Sequence, residues 1–380
     1  MENFTAYNPT RVHFGQDVCN DLSQWIAPYG KRVLLMYGRG SIKRNGIYDK
    51  ITSQLHALGA DLHEYSGIKP NPQVSDVNKA AELGSQMEVD VILAVGGGSV
   101  IDSAKITSLS IANNADGWDL MKKKVEPKTK IPLISVLTLA ATASEMNKIA
   151  VLQNNETREK FGFGHELNYP DHSFLDPRFT YTVPREQTAY GIADLMAHTF
   201  ESFFGDGESP LSDRFVQGIC KVALEYGPKV LQEPQNYEYR ANIMWAATNA
   251  MNGLCAYGKS KNDGGMHAIG HNMSVLFDTP HAATLTIAIP AWLKLHKASL
   301  PGKIQKLGKL LFDVSTAEQT ISELEQFYRT IGCPVRLSDI GLDDRSKDQY
   351  LDLLQANQAT GRVHKLNDNE RKQIVAYMDQ

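Results

Sequence analysis

Three histidines fall within residues 267–281, which read HAIGHNMSVLFDTPH. His267 and His271 are four residues apart, a spacing that places two side chains on one face of a helix. His281 follows Pro280, beyond the predicted end of that helix. Imidazole is a common metal ligand and also a proton donor near neutral pH. Spacing alone therefore pairs His267 with His271 and leaves His281 out.

A second pair of possible ligands, Asp194 and His198, lies in the stretch GIADLMAHTFESFF. These two residues are also four apart on a predicted helix, and a carboxylate beside an imidazole is a common half of a metal site. An isolated pair of this kind is more often a surface or capping pair. Combined with the histidine stretch, however, it supplies one carboxylate and two or three imidazoles, a set suited to Zn²⁺ or Fe²⁺.

Three consecutive glycines separate a predicted strand from a predicted helix in residues 94–105, AVGGGSVIDSAK. Glycines let the backbone approach a phosphate closely, and the start of a helix supplies free N–H groups. Ser99 is placed to cap this helix and to donate its hydroxyl to the same phosphate. Asp102, in the first turns of the helix, is a further candidate cofactor-binding residue, and it also complements the helix dipole. The pattern departs from G-x-G-x-x-G because Ile101 takes the place of the last glycine. A tight turn therefore remains the alternative to a nucleotide site.

The elements that must position these residues change in character along the chain. Short apolar runs predict strands at residues 32–37, 61–65, 90–95 and 131–137. Helical periodicity lies between these runs, which predicts an α/β fold with a parallel, Rossmann-like sheet. After residue 184 the sequence predicts helices alone, at 186–204, 209–231, 238–257, 263–276 and from 303 to the end, with breaks at Pro290, Pro301 and Pro334. The predicted domains are an α/β dinucleotide-binding domain over 1–182 and an all-helical metal-binding and catalytic domain over 183–380.

The composition excludes several classes of protein. A chain of 380 residues with a net charge of -4 gives no reason to expect nucleic acid or an anionic membrane as partner. No stretch approaches the ~18 apolar residues of a membrane-spanning helix, and the first residues contain no signal-peptide core, so a cytoplasmic protein is expected. The four cysteines form no CxxC motif and are expected to be reduced and mostly buried.

The order of several long motifs resembles the iron-containing (group III) alcohol dehydrogenases, and most closely their bacterial butanol dehydrogenase branch. The matching stretches are NPTRVHFG, VLLMYGRGSIKRNGIYD, IKPNP, AVGGGSVIDSAK, SVLTLAATASE, FLDPRFTYTVP, GIADLMAHTFES, RANIMWAATNAMNG and the histidine stretch. The resemblance implies a dehydroquinate synthase-like architecture with the active site in the cleft between the two domains, and a homodimer. It also implies the following four metal ligands: Asp194, His198, His267 and His281. His271 then matches a histidine near the nicotinamide and substrate that is not a ligand.

The resemblance also implies the cofactor contacts, which fall on Gly97, Gly98 and Ser99 of the glycine loop, on Thr138, Thr142 and Ser144, and on Lys160. Ala143 departs from the family, which commonly has glycine there, and its methyl group is expected to narrow the cofactor cleft slightly. NAD-dependent relatives carry an aspartate at the end of the first strand, where this chain has Gly38. Since a carboxylate repels a 2′-phosphate, Gly38, Arg39, Ser41 and Lys43 favour NADP(H) over NAD(H).

These features together predict a metal-dependent alcohol dehydrogenase or aldehyde reductase that uses Fe²⁺ or Zn²⁺. Hydride is expected to pass between NADP(H) and a small-to-medium aliphatic aldehyde or alcohol such as butanal or butanol, with His271 as proton donor. One alternative is a glycerol-dehydrogenase-like or dehydroquinate-synthase-like member of the same superfamily. Another is a non-catalytic protein that binds nucleotide and metal, although every metal and glycine-loop position is filled.

Overall fold

The computed structural model describes all 380 residues, whose contacts divide the chain into two compact units. The first unit contains Met1–Ala6, Pro184–Glu233 and Asn249–Gln380, and the second contains Tyr7–Val183 and Pro234–Thr248. The single boundary predicted after residue 182 stays a prediction. None of the helices combines the length and the apolar character that crossing a membrane requires.

The second unit is built on a six-stranded, fully parallel sheet of strand order β1-β8-β5-β4-β2-β3. Its strands are β1 (Arg11–Phe14), β2 (Arg32–Gly38), β3 (Asp61–Ile68), β4 (Val91–Gly96), β5 (Leu133–Leu137) and β8 (His172–Leu175), and an antiparallel hairpin is formed by β6 (Ile149–Asn154) and β7 (Glu159–Gly164). The helices are α1 (Leu22–Ile26), α2 (Ser41–Arg44), α3 (Ile47–Leu58), α4 (Val74–Gln86), α5 (Gly98–Asn113) and α6 (Gly117–Met121). The predicted α/β fold with a parallel sheet is confirmed.

The central strands are buried on both faces because helices cover each side of the sheet. Alternate residues of a strand point to opposite faces. Leu93 and Val95 of β4 accordingly belong to one apolar cluster, whereas Ile92 and Ala94 belong to another. The continuous apolar run that predicted β4 reflects this two-sided burial, which is typical of parallel sheets.

Two strands of the sheet, β1 and β8, were not predicted from the sequence. β1 and β8 have four residues each and pair with each other in parallel. β8 is fully buried, but it contains His172 and Ser173, and β1 contains Arg11 and His13, so neither forms an apolar run. Their place in the sheet depends on pairing with a neighbour, which periodicity along the chain does not register.

The first unit is built from helices and contains no strand, as predicted for the second half of the chain. Its helices are α7 (Arg185–Phe203), α8 (Pro210–Gln232), α10 (Gly265–Phe277), α11 (His281–His296), α12 (Pro301–Leu311), α13 (Ala317–Ile331), α14 (Asp344–Ala356) and α15 (Asp368–Tyr377). Helix α9 (Tyr237–Ala250) belongs mostly to the unit with the sheet, where Met244 joins an apolar cluster of that unit. The four cysteines are free and buried, as expected.

Helix α11 corrects the interpretation of Pro290 as a break. Pro290 lies inside this 16-residue helix, and His281 is its first residue rather than part of a turn. A proline inside a helix removes one hydrogen bond and costs about 3 kcal/mol. α11 is buried along almost its whole length, from Ala282 to Leu293, so its packing offsets that cost.

Candidate active site

The predicted ligands Asp194 and His198 lie on one face of α7, inside the helical unit. The two side chains are almost fully buried, and Oδ1 of Asp194 is 3.6 Å from Nε2 of His198. The residues are one helical turn apart, so α7 alone brings them together. Burial is the main cause of a lowered pKa at His198, which keeps its imidazole in the neutral form that binds metals.

Two further helices bring histidines to the same point. The ring of His267, in the first turn of α10, is nearly parallel to that of His198 at a centroid distance of 5.0 Å. His281, the first residue of α11, places Nε2 at 3.8 Å from Oδ1 of Asp194. Ligand atoms of Asp194, His267 and His281 all lie within 4.8 Å of one another. His198 adjoins this set through Asp194 and His267, so the four residues that the resemblance implied lie in one cluster.

The chemistry of this cluster fits a divalent cation. Oδ1 of Asp194 and Nε2 of His267 are buried and have no hydrogen-bond partner. Leaving a buried polar atom unsatisfied costs about 1–3 kcal/mol, so two such acceptors within one cluster are unfavourable without a ligand. A cation between them satisfies both. The assignment of the four residues as ligands stays a prediction.

His271 lies beside this cluster rather than within it. Its ring centroid is 5.1 Å from that of His281 and 6.0 Å from that of His267. The set with mutually close ligand atoms consists of Asp194, His267 and His281 and contains neither His271 nor His198. His198 differs from His271 in that its Nε2 lies 3.6 Å from Oδ1 of Asp194. Helical spacing alone, which pairs His267 with His271, therefore selects a different group from the one that the packing of three helices assembles.

Glu201 is a functional candidate that the sequence interpretation missed. It lies on the same face of α7 as Asp194 and His198, seven residues after Asp194, and accepts a hydrogen bond from Nδ1 of His267 at 2.8 Å. The i, i+4, i+7 spacing was available in the sequence. The contact with α10 that gives Glu201 its place was not.

In the sheet unit, the glycine loop joins β4 to α5. α5 begins at Gly98 with Gly97 as its N-cap, so Ser99 does not cap the helix, and its hydroxyl instead donates to the carbonyl of Pro70. A Cβ atom on Gly98 would lie 2.3 Å from Oγ1 of Thr142. Glycine is therefore required here by close packing against the loop that follows β5.

Two of the residues predicted to contact the cofactor face each other inside the unit. Asp102 is buried, and its carboxylate accepts hydrogen bonds from Oγ of Ser144 at 2.5 Å and from the N–H of Val151 at 2.9 Å. Burial is the main cause of a raised pKa at Asp102. These bonds tie the first turns of α5 to β6, so Asp102 and Ser144 brace the loop.

The other predicted cofactor residues are distributed around the same strand ends. Thr138 follows β5, and its N–H donates to the carbonyl of Gly96 at 3.0 Å, directly beside the glycine loop. Lys160 of β7 is not the exposed charge that its polar neighbours suggest, since it is 9% exposed and Nζ donates to Oδ1 of Asn71 at 2.9 Å. Ala143 is fully buried, so its methyl group does not narrow a cleft. Its φ of 53° places the backbone of this residue in the left-handed conformation, which favours glycine.

The end of β2 carries the residues that bear on cofactor choice. Arg39 and Ser41 are exposed, and no acid lies between Tyr37 and Ser41. Glu64 of β3 is nearby, however, and accepts a hydrogen bond from the Tyr37 hydroxyl at 2.6 Å. Nζ of Lys43 is 3.7 Å from this carboxylate, which neutralises part of the positive charge of Lys43. Of Arg39 and Lys43, Arg39 therefore has more of its charge available.

Comparison with known proteins matches both halves of the chain to one family. The model for iron-containing alcohol dehydrogenase matches residues 9–177, and the model for the C-terminal part of the Fe-containing alcohol dehydrogenase family matches residues 188–380. The NADH-dependent butanol dehydrogenase A of Clostridium acetobutylicum is 38% identical, with 90% of each chain covered. The NADPH-dependent aldehyde reductase YqhD of Escherichia coli is 36% identical, with 95% of each chain covered.

A solved structure shows the same architecture. The NADH-dependent butanol dehydrogenase A of Thermotoga maritima superimposes with a TM-score of 0.95 at 34% identity, covering 100% of this chain and 99% of the other. The names of these three relatives divide between NADH and NADPH. The cofactor preference of this chain therefore has to be argued from its own residues.

Proposed function

This chain belongs to the iron-containing alcohol dehydrogenase family, and from that premise we propose that it is a metal-dependent aldehyde reductase that prefers NADP(H). The substrates are small-to-medium aliphatic aldehydes such as butanal, and the corresponding alcohols in the reverse direction. The observation that carries this proposal is the cluster of a buried carboxylate and three imidazoles on α7, α10 and α11.

The residues that hold the cation are Asp194, His198, His267 and His281. Three neutral imidazoles and one carboxylate leave a net charge of about +1 on a divalent ion, and both Fe²⁺ and Zn²⁺ accept this donor set. Such an ion supplies Lewis acidity toward the oxygen of an aldehyde or alcohol. The protein contributes the burial of Asp194 and His198, which keeps bulk water from competing for the same position.

His271 is the proposed proton donor. As hydride reaches the carbonyl carbon, the substrate oxygen gains negative charge and needs a proton to leave as an alcohol. The ring of His271 lies next to that of His281 without belonging to the close set of ligand atoms, so it can carry a proton to the substrate oxygen. Histidine titrates near neutral pH, which suits this role.

The preference for NADP(H) is supported by the end of β2. Gly38 ends the strand without an acid, and Arg39 and Ser41 are exposed immediately after it. A cation and a hydroxyl at that position favour a 2′-phosphate, whereas a carboxylate there favours the free ribose diol of NAD(H).

Metal analysis of the purified protein, combined with an aldehyde panel, tests the proposal. We expect about one Fe²⁺ or Zn²⁺ per chain, and oxidation of NADPH that depends on butanal and is more efficient than oxidation of NADH. Higher efficiency with glycerol and NAD⁺ would favour the glycerol-dehydrogenase-like alternative. Absence of aldehyde-dependent NADPH oxidation by metal-loaded protein would favour a non-catalytic binding protein.

A further inference from the structure

Glu201 connects the ligand face of α7 to the beginning of α10. Its side chain is 8% exposed, and Oε1 accepts hydrogen bonds from both the backbone N–H of His267, at 2.9 Å, and Nδ1 of that residue, at 2.8 Å. Oε2 accepts from the N–H of Gly264, the N-cap of α10, at 2.5 Å. One carboxylate therefore binds both the backbone and the ring of His267.

These contacts determine which nitrogen of His267 carries a proton. A carboxylate oxygen accepts hydrogen bonds and does not donate them, so the bond to Glu201 requires a proton on Nδ1. In a neutral imidazole the lone pair is then on Nε2. This nitrogen is buried without a hydrogen-bond partner, and His267 belongs to the set whose ligand atoms lie within 4.8 Å of one another, with Asp194 and His281.

We propose that Glu201 is a positioning residue that fixes the tautomer and the ring orientation of His267 for metal binding. This inference rests on the proposed metal site and adds to it a residue that is not a ligand. A carboxylate behind a ligating histidine restricts ring rotation and raises the basicity of the nitrogen that binds the metal. The bonds from the backbone of Gly264 and His267 in turn prevent Glu201 from rotating away.

A purely structural role for Glu201, as an acceptor for the first turn of α10, predicts a different result. Removing a helix cap lowers the stability of the metal-free protein and leaves the intrinsic affinity of the site unchanged. Removing a positioning residue lowers the affinity for metal by about 10- to 100-fold. The two roles therefore separate when stability and affinity are measured independently.

The first experiment compares Glu201→Gln with the unchanged protein. Zn²⁺ affinity is measured by competition with a chelator, and the Tm of the metal-free protein is measured alongside. We expect affinity about 10- to 100-fold weaker, with a changed visible spectrum for the Co²⁺-loaded protein because one ligand is reoriented. Glu186→Gln is the matched control, since it removes the same charge from an exposed position in the first turn of α7. An affinity for Glu201→Gln within about twofold of the unchanged protein would overturn the proposal.

The second experiment needs no variant of Glu201 and no metal. Nitrogen-15 NMR of histidine-labelled, metal-free protein reports the tautomer of each ring, and the signal of His267 is assigned by its loss in His267→Gln. We expect the Nδ1–H tautomer at neutral pH. The Nε2–H tautomer would contradict the role of Glu201, whereas failure of the unchanged protein to bind any divalent metal would contradict the proposed function instead.

Discussion

Nε2 of His281 lies 3.8 Å from Oδ1 of Asp194, although the two residues are on different helices and far apart in the sequence. This distance distinguishes His281 from His271, which lies closer in sequence to the other ligand candidate of the stretch, His267. The first two predictions test that distinction.

Substitution of His281 by alanine is expected to remove a ligand. The affinity for Zn²⁺ should fall by at least 10- to 100-fold, because that is the typical loss when a residue that only hydrogen-bonds to a ligand is removed. Metal content after dialysis, measured by mass spectrometry, checks the outcome. Retention of a full equivalent of metal by His281→Ala would remove His281 from the site.

His271→Ala is expected to have the opposite pattern. The variant should keep its metal, since the three-residue set of close ligand atoms is intact, while kcat for butanal reduction falls by about 10²- to 10⁴-fold through loss of the proton donor. Steady-state kinetics at several pH values, together with metal analysis, check this. If metal is lost along with activity, His271 is a ligand and its proposed role is wrong.

Gly38→Asp is expected to shift the cofactor preference toward NADH. A carboxylate at the end of β2 repels a 2′-phosphate and accepts hydrogen bonds from a ribose diol, so kcat/KM for NADPH should fall by about tenfold or more relative to NADH. Lys50→Gln, a charge change elsewhere in the same unit, provides a control that leaves the ratio unchanged. An unchanged ratio in Gly38→Asp would contradict the proposed basis of specificity.

Gly98→Ala is expected to damage the glycine loop. Its Cβ would lie 2.3 Å from Oγ1 of Thr142, a distance that forces the loop after β5 to move. Overpacking of this kind costs about 1–3 kcal/mol of unfolding free energy, and cofactor affinity should fall as well. Gly302→Ala is the matched control because no heavy atom lies within 4 Å of the Cβ it would add. Equal stability of the two variants in urea titrations would refute the steric argument.

Lys105 provides a prediction about pH. It is buried, and burial lowers its pKa to about 8, even though Asp102 and Glu145 raise it. Its Nζ donates to the carbonyls of Asn147 and Ile149. Between pH 8 and the unfolded pKa of about 10.4, the unfolded chain binds a proton that the folded chain has released, so this group makes the free energy of unfolding rise with pH.

The measurement compares the unchanged protein with Lys105→Met. The difference between their free energies of unfolding should increase by about 1–2 kcal/mol from about pH 8 to about pH 9.5, since each unit of pKa shift corresponds to 1.36 kcal/mol. Other titrating groups cancel in the difference. A difference that stays constant over this range would mean that the pKa of Lys105 is not lowered.

Much of the fold followed from local patterns. Apolar runs such as residues 90–95 predicted the central strands, because strands buried on both faces have no polar alternation. The short strand β8 and the helix α11 were not predicted, because their local sequence signals argue against the structures that they adopt. In β8 polar residues interrupt the run, and in α11 the internal Pro290 suggested a break, while burial in the folded protein outweighs both local signals.

In the candidate site too, some features followed from local sequence patterns and others only from tertiary contacts. Helical spacing established that Asp194 and His198 share a face, because the period of a helix is a property of the local backbone. The family resemblance, and not spacing, added His281 to the set. The distances that join α7, α10 and α11, and the bond from His267 to Glu201, depend on how three helices pack. Packing is set by side chains remote in sequence, so a pattern of residues supplied the ligand candidates and tertiary contacts alone brought them together.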